Sequence, residues 1–342
     1  MEVALDAAAC PAWIFANAGA VGYYRTSQPA AGVIALHDRG WKLLTPAERL
    51  VAFSDVAAFT ATGELDVDIL LSRIPRLLAE RHRVATGVAT DLATRARRWL
   101  TADQQPRFDA WIRATFGPGA RALSWQPGAR DDIDAERSRA ALVSLVAASG
   151  DPALCATAVK LATSWRALDP AIRMPVLTAA ADADGATFDR LLAAVPGESD
   201  AERRNDLLRA LAQVRDESRL HKVLALALDP KLELRQAASL LTINRDIAQA
   251  RMVAAYVREH RSELLARFPL DQGRAAPLAL TFLRNCDAAR RDDDAAFVRA
   301  QFGTMLGAER LIASGLEALD QCIAARALLG PRLDAWLARR PR

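Results

Sequence analysis

The sequence predicts an all-α protein, a superhelical bowl of stacked helix pairs preceded by a short β-prone segment. Three observations carry this reading. Hydrophobic residues make up 51% of the 342 positions but aromatics only 6%. The apolar content is therefore mostly Ala, Leu and Val, which favours helices packed closely through small side chains over a β-sandwich. From about Pro29 onward, apolar residues recur at helical spacing, with Asp, Thr and Pro where helices start and Gly where they stop. The length exceeds what one compact core usually supports, which leaves two domains or one elongated array.

Residues 1–28 form the first unit. VAL, WIF and AVGYY are short β-prone pieces separated by Pro11 and by Asn17-Ala18-Gly19. They suit two or three short strands or extended segments, which alone would not bury both faces. Residues 29–342 form the helical unit. Thr45 reads as an N-cap, Pro46 as the first helical residue and Glu48 as the far end of a capping box. Leu50, Phe53, Val56, Ala57 and Phe59 then share one face, and Gly63 reads as a stop. A further helix starts near Asp66. Asp-Pro pairs open helices at Asp151, Asp169 and Asp229, and Gly150, Gly185, Gly197 and Gly330 mark stops or turns. The softer joints are expected at Gly117 to Arg130 and Pro196 to Asp200. No exact repeat is visible, but helix pairs of roughly 35–45 residues approach the ~40–47 of HEAT or armadillo units, which stack into curved solenoids with a concave face.

Charge and residue chemistry exclude more than they assign. Lys and Arg number 45 against 41 Asp and Glu, and apart from Lys42, Lys160, Lys222 and Lys231 the basic residues are all arginines. Acidic residues are interspersed throughout, as in RDDIDAERSR, so a mixed solvated surface is expected rather than a nucleic-acid groove. Cys10, Cys155, Cys286 and Cys322 are far apart and read as small core residues, not a disulfide framework or zinc knuckle. His37, His82, His221 and His260 form no H-E-x-x-H pair, so each reads as a surface or locally bonded residue. GAVGYY lacks the G-K-[ST] ending of a phosphate loop. RRDDDAAF, from Arg290, lacks EF-hand spacing and reads as an acidic helix start. The seven tryptophans read as packing anchors. No apolar run reaches the ~18 residues of a membrane span. MEVALDAAAC does not read as a secretory leader. A cytoplasmic chain is favoured, with any targeting segment of a parent protein not readable here.

The segment WIFANAGAVGYYR resembles the junction motif of the aminopeptidase N family of zinc metallopeptidases, which includes the endoplasmic-reticulum aminopeptidases. There the chain reads W-x-x-x-N-A-G/G-x-x-G-Y-Y-R-V-x-Y as it leaves a small β-sandwich and enters a helical C-terminal domain. Trp13, Asn17, Gly19, Gly22, Tyr23, Tyr24 and Arg25 match; Thr26 replaces the usual valine and Gln28 the usual tyrosine. LTPAERLVAFSDVAAFTATGELDVDILL is similar to the family's next helix pair, with Arg49, Asp55, Gly63 and Leu65 at its marked positions. AERSRAALVSLVAASGDPAL is similar to a later helix and turn, and the final third agrees in helical rhythm only.

The resemblance implies a C-terminal domain that caps a catalytic domain, encloses its chamber, gates entry and contacts peptide substrates. It places the zinc and the H-E-x-x-H and G-A-M-E-N motifs in a preceding domain. Neither motif occurs in this chain, so no catalytic, cofactor-binding or metal residue is assigned here, and no activity is expected of the chain alone. The implied partners are the parent's catalytic and β-sandwich domains and peptides, with no nucleic acid. Arginine suits a peptide-facing wall because its fork pairs with a carboxylate. Two other readings stay open: a free-standing HEAT-like protein-interaction scaffold and a basic DNA-binding module. Without a sandwich partner, Ile14 and Phe15 are expected to be exposed and to favour self-association.

Overall fold

The computed structural model describes residues 9–129, 131–242, 246–270 and 274–340. Every regular element among them is helical, and they contain no strand. The VAL piece near the N-terminus and Arg130 of the expected joint lie outside the described residues.

One row of helices runs through the chain in contact succession: Arg83–Arg97, Ile133–Ala148, Pro170–Ala183, Ala201–Leu211, Leu234–Leu240 and Ala276–Leu283. A second row alternates with it in sequence: Gln105–Thr115, Pro152–Leu161, Gly185–Ala194, Glu217–Ala225, Ile247–Glu259 and Arg291–Phe302. One continuous apolar cluster extends from Val33 to Leu337 between the rows. Polar ties step from each pair to the next at a nearly constant interval. Arg173 bonds Asp206 and Lys222 bonds Asp189, each 33 residues apart. Arg251 bonds Asp287 and Arg258 bonds Asp294, each 36 apart. Only Lys222–Asp189 is an exposed pair, worth about 0–1 kcal/mol, whereas the carboxylates of the other three are largely buried, so those ties fix the register of the stack that the shared core holds.

Many helix starts follow the sequence grammar. Thr45 and Glu48 form the full capping box of Pro46–Ala61, and Gly63 ends that helix at φ +81°. Asp151 and Asp169 cap the helices that begin at Pro152 and Pro170. The helix near Asp66 is split in two, Val67–Leu71 and Ile74–Leu78. Other expectations are corrected. Asp229 does not open a helix: its side chain accepts from the Lys231 N–H and its carbonyl from the Leu232 N–H, closing a single turn before the helix starts at Leu234. Much of the Gly117 to Arg130 joint is helix, Gly117–Leu123.

The largest departure is Gly330, which reads as a stop but lies deep inside a 31-residue helix, Ala308–Ala338. A Cβ on Gly330 would sit 2.8 Å from the Trp99 carbonyl oxygen, so glycine is there to let two backbones approach. This last helix packs first on Ala276–Leu283 and Arg291–Phe302, then returns to the start of the stack. Arg332 donates to the Gly63 carbonyl at 3.0 Å. Trp336 is buried edge-on against Trp111, with centroids 5.3 Å apart, and donates its indole N–H to Asp68 at 2.7 Å. The helical arc is thereby closed by its own C-terminal helix. Where that helix leaves the stack, Cys286 and Cys322 form a disulfide, so these two are not the separate core residues their spacing suggests. No single described helix is long and apolar enough to cross a membrane.

Candidate functional site

Two regions hold the features that could carry function: the inner face of the closed arc and the N-terminal arm. Two clefts of about 540 and 570 Å³ lie along the inner face and share Thr94 and Asp246. The first-row helices Arg83–Arg97, Ile133–Ala148 and Pro170–Ala183 wall most of the first cleft, and the C-terminal helix with Arg284, Asn285 and Cys286 walls much of the second. Arg97 and Arg215 line the first cleft, and both are engaged. Arg97 bonds Asp109 and donates to Ser149 Oγ at 3.1 Å. Arg215 presents its fork to Asp182 at 2.9 and 2.7 Å. Burial opposes the charge on Arg215, but Asp182 beside it outweighs burial and raises its pKa above the ordinary guanidinium. Arg98 and Arg284 line the second cleft. Both are exposed, and among the described residues neither has a carboxylate partner. The polar contact of Arg98 is a weak one, to Cys322 Sγ at 3.8 Å. Two guanidinium groups in a cleft that Asp246 also lines can receive an anionic group such as a carboxylate.

The N-terminal arm is ordered by side chains rather than by strand pairing. Asn17 is buried, donates to the Gly22 carbonyl at 2.9 Å and accepts from the Gly22 N–H at 2.8 Å. A Cβ on Gly22 would meet Asn17 Oδ1 at 2.9 Å and the Tyr24 ring closer still, so any other residue would have to displace both side chains of the clasp. Gly19 donates to Glu48 at 2.8 Å, tying the arm to the same carboxylate that closes the capping box. Together these hydrogen bonds hold the Glu48 carboxyl below the usual range. Tyr24 donates to the Ala16 carbonyl at 2.9 Å. Arg25 donates to Ser54 at 2.5 Å and pairs with Asp55 at 3.3 Å, and Asp55 also accepts from the Thr26 N–H. Trp13 and Phe15 are half-buried on a small separate cluster of Leu36, Leu44 and Ala52. Phe15 is thus covered, while Ile14 is 43% exposed and Tyr23 fully exposed.

The remaining positions singled out in the sequence also fall into place. Arg49 bonds Glu80 at 2.7 Å and the Trp41 carbonyl at 2.9 Å, and Leu65 is buried. His37 differs from expectation. It is fully buried, stacked on Trp41 at 5.1 Å, and burial, reinforced by Arg73 and Arg76, lowers its pKa to about 4. Among the described residues, no group of three or more His, Cys, Asp or Glu side chains is placed to hold a metal ion. Sequence reasoning could not choose Arg98 and Arg284 from so many arginines, because what distinguishes them is that the fold brings both to one cleft.

Comparison with known families agrees with the junction segment. A family model described as the ERAP1-like C-terminal domain matches residues 13–321. The chain belongs to this family. The matched range of this ERAP1-like domain opens on Trp13, the first residue of the arm's motif, and ends one residue before Cys322. It contains both clefts' arginines and all of the clasp around Asn17. No curated protein matches the chain.

Proposed function

We propose that this ERAP1-like domain is the C-terminal capping domain of a zinc-dependent aminopeptidase. In this reading the arc encloses the chamber of a catalytic domain, gates its mouth and contacts peptide substrates beyond their first residues. Residues 1–28 then form the junction from a β-sandwich, and the exposed Ile14, Val21 and Tyr23 face that domain. The observation that carries the reading is the pairing of family membership with an inner wall that keeps Arg98 and Arg284 available.

Peptide chemistry suits this wall. An unfolded peptide offers a terminal carboxylate for a guanidinium fork, and concave walls exclude folded proteins by shape alone. Movement of the whole domain against its neighbours would open and close the chamber, a lid at domain scale. Zinc belongs to the catalytic domain in this proposal, and no step is assigned to it here. The test is turnover of amino-acid arylamides by the purified chain with zinc added: none is expected, and robust zinc-dependent turnover would overturn the division of labour.

A further inference from the structure

The C-terminal helix buries Ala308, Ile312, Leu316 and Leu319 against the end of the stack, and Leu329, Gly330, Leu333, Trp336 and Leu337 against its start. Between them, residues 320–328 contribute no buried side chain. This is the stretch that crosses from one end of the arc to the other. Its ties are few. Arg291 and Asp320 pair on the exposed surface, Arg326 donates to the Cys286 carbonyl at 3.5 Å, and Cys322 is bonded to Cys286. Only the last is covalent.

The two sulfurs lie in unlike surroundings. Cys286 is buried, and its backbone is held at φ +54°, a region that residues with a Cβ seldom occupy. Cys322 is partly exposed on the 570 Å³ cleft, with Arg98 Nη2 3.8 Å from its sulfur. Arg98 follows the helix Arg83–Arg97 of the first pair and lines the same cleft as Cys286 and Cys322, so the closed arc brings the first and last pairs together at this disulfide. A guanidinium beside a sulfur favours thiolate there, whereas apolar burial disfavours it at Cys286. The site therefore has an accessible sulfur and a built-in cation from the first pair already beside it.

We propose that the Cys286–Cys322 disulfide is a redox switch that releases the covalent tie of the C-terminal helix to the last helix pair and leaves Cys322 held by Arg98 alone. When oxidised, the helix is pinned to the last helix pair through Cys286. When reduced, the Cys322 thiolate pairs with Arg98 on the first pair, and the seam around Cys286 loosens. The reductant is a dithiol. One of its thiolates attacks Cys322 Sγ, the Cys286–Cys322 bond breaks, and Cys286 leaves as thiolate and takes up a proton. The second thiolate then attacks the reagent's own sulfur in the mixed disulfide and releases Cys322 as thiolate. Two electrons pass to the protein, the dithiol becomes a disulfide, and one proton is released overall. In a reducing compartment such a bond is transient and regulatory, whereas a structural staple resists native-state reduction. The switch is a property of this chain and stands whether or not the arc caps a peptidase.

The test uses the whole chain. Amide hydrogen exchange is followed across residues 283–287 and 320–328 before and after dithiothreitol, and the alkylation rate of Cys322 is measured against pH. Reduction under native conditions is expected to quicken exchange in both segments by about tenfold or more, while Pro170–Ala183 stays protected. Cys322 is expected to titrate below the ~8.5 of a free thiol, and Arg98→Met to restore that value. A bond that survives dithiothreitol until the chain unfolds would overturn the proposal. So would exchange unchanged by reduction, or a Cys322 that titrates alike with and without Arg98.

Discussion

Replacing Trp336 by alanine probes the closure of the arc at the point where it is made. Trp336 is 1% exposed, and truncating a buried tryptophan costs about 3–5 kcal/mol in lost burial and cavity. Its edge-on contact with Trp111 adds about 0.5–1.5 kcal/mol beyond area. The hydrogen bond to Asp68 adds less, about 1 kcal/mol, because that carboxylate is 51% exposed and also meets Arg340. Burial therefore dominates, and Trp336→Phe, which keeps most of it, is expected to lose only about 1–2 kcal/mol. The loss should be local, since residues 320–328 separate the closing turns from the rest of the core. Amide exchange across Arg332–Arg339 is expected to quicken by about 100- to 5,000-fold in Trp336→Ala, with Pro170–Ala183 unaffected. A change within the ±0.5 kcal/mol typical of surface positions would show that the helix merely lies on the stack and that the arc is open.

Other outcomes follow from single residues. Gly330→Ala should gain about 1 kcal/mol of helix propensity but lose about 1–3 kcal/mol to the close approach of the Trp99 carbonyl, a net destabilisation that thermal unfolding would detect; a raised melting temperature would contradict that contact. His37 has a folded pKa of about 4 against 6.5, so the unfolded chain binds its proton first as pH falls. The contribution of neutral His37 is full above pH 6.5, falls as pH drops toward 4 and amounts to about 3 kcal/mol over that window. His37→Leu should lose this part of the acid sensitivity in urea titrations at pH 7 and 4.5, and an unchanged difference between the two pH values would show that His37 is not held neutral. Thr45→Ala should cost about 1 kcal/mol and release Glu48, loosening the arm at Gly19; unchanged arm exchange would refute that coupling.

Local chemistry was legible in the sequence, and closure was not. A capping box is written in four residues, so Thr45 and Glu48 could be read directly, as could Asp151 and Asp169. Asp229 carries the same Asp-Pro signal, but its turn is completed by Lys231 and Leu232, and a later residue starts the helix. Gly330-Pro331 spells a stop by every local rule, yet packing against Trp99 and Trp111 carries the helix through it. The disulfide and the available pair Arg98 and Arg284 share one cause of illegibility. The return of the last helix brings Cys322 to Cys286 and completes the cleft that holds both arginines, and no short window of sequence records it. The junction segment was legible as a motif, and its geometry explains why: Asn17, Gly19, Gly22 and Arg25 each satisfy a specific backbone or carboxylate group.

The most direct measurement is calorimetric titration of short unstructured peptides, with free and amidated C-termini, into the oxidised chain. An inner wall that receives peptides predicts saturable binding, weakened at least about tenfold by amidation and again by Arg98→Ala with Arg284→Ala, which is a loss of about 1.4 kcal/mol or more. Peptide binding that ignores both the carboxylate and the two arginines, or no binding at all, would contradict a peptide-contacting role for the arc.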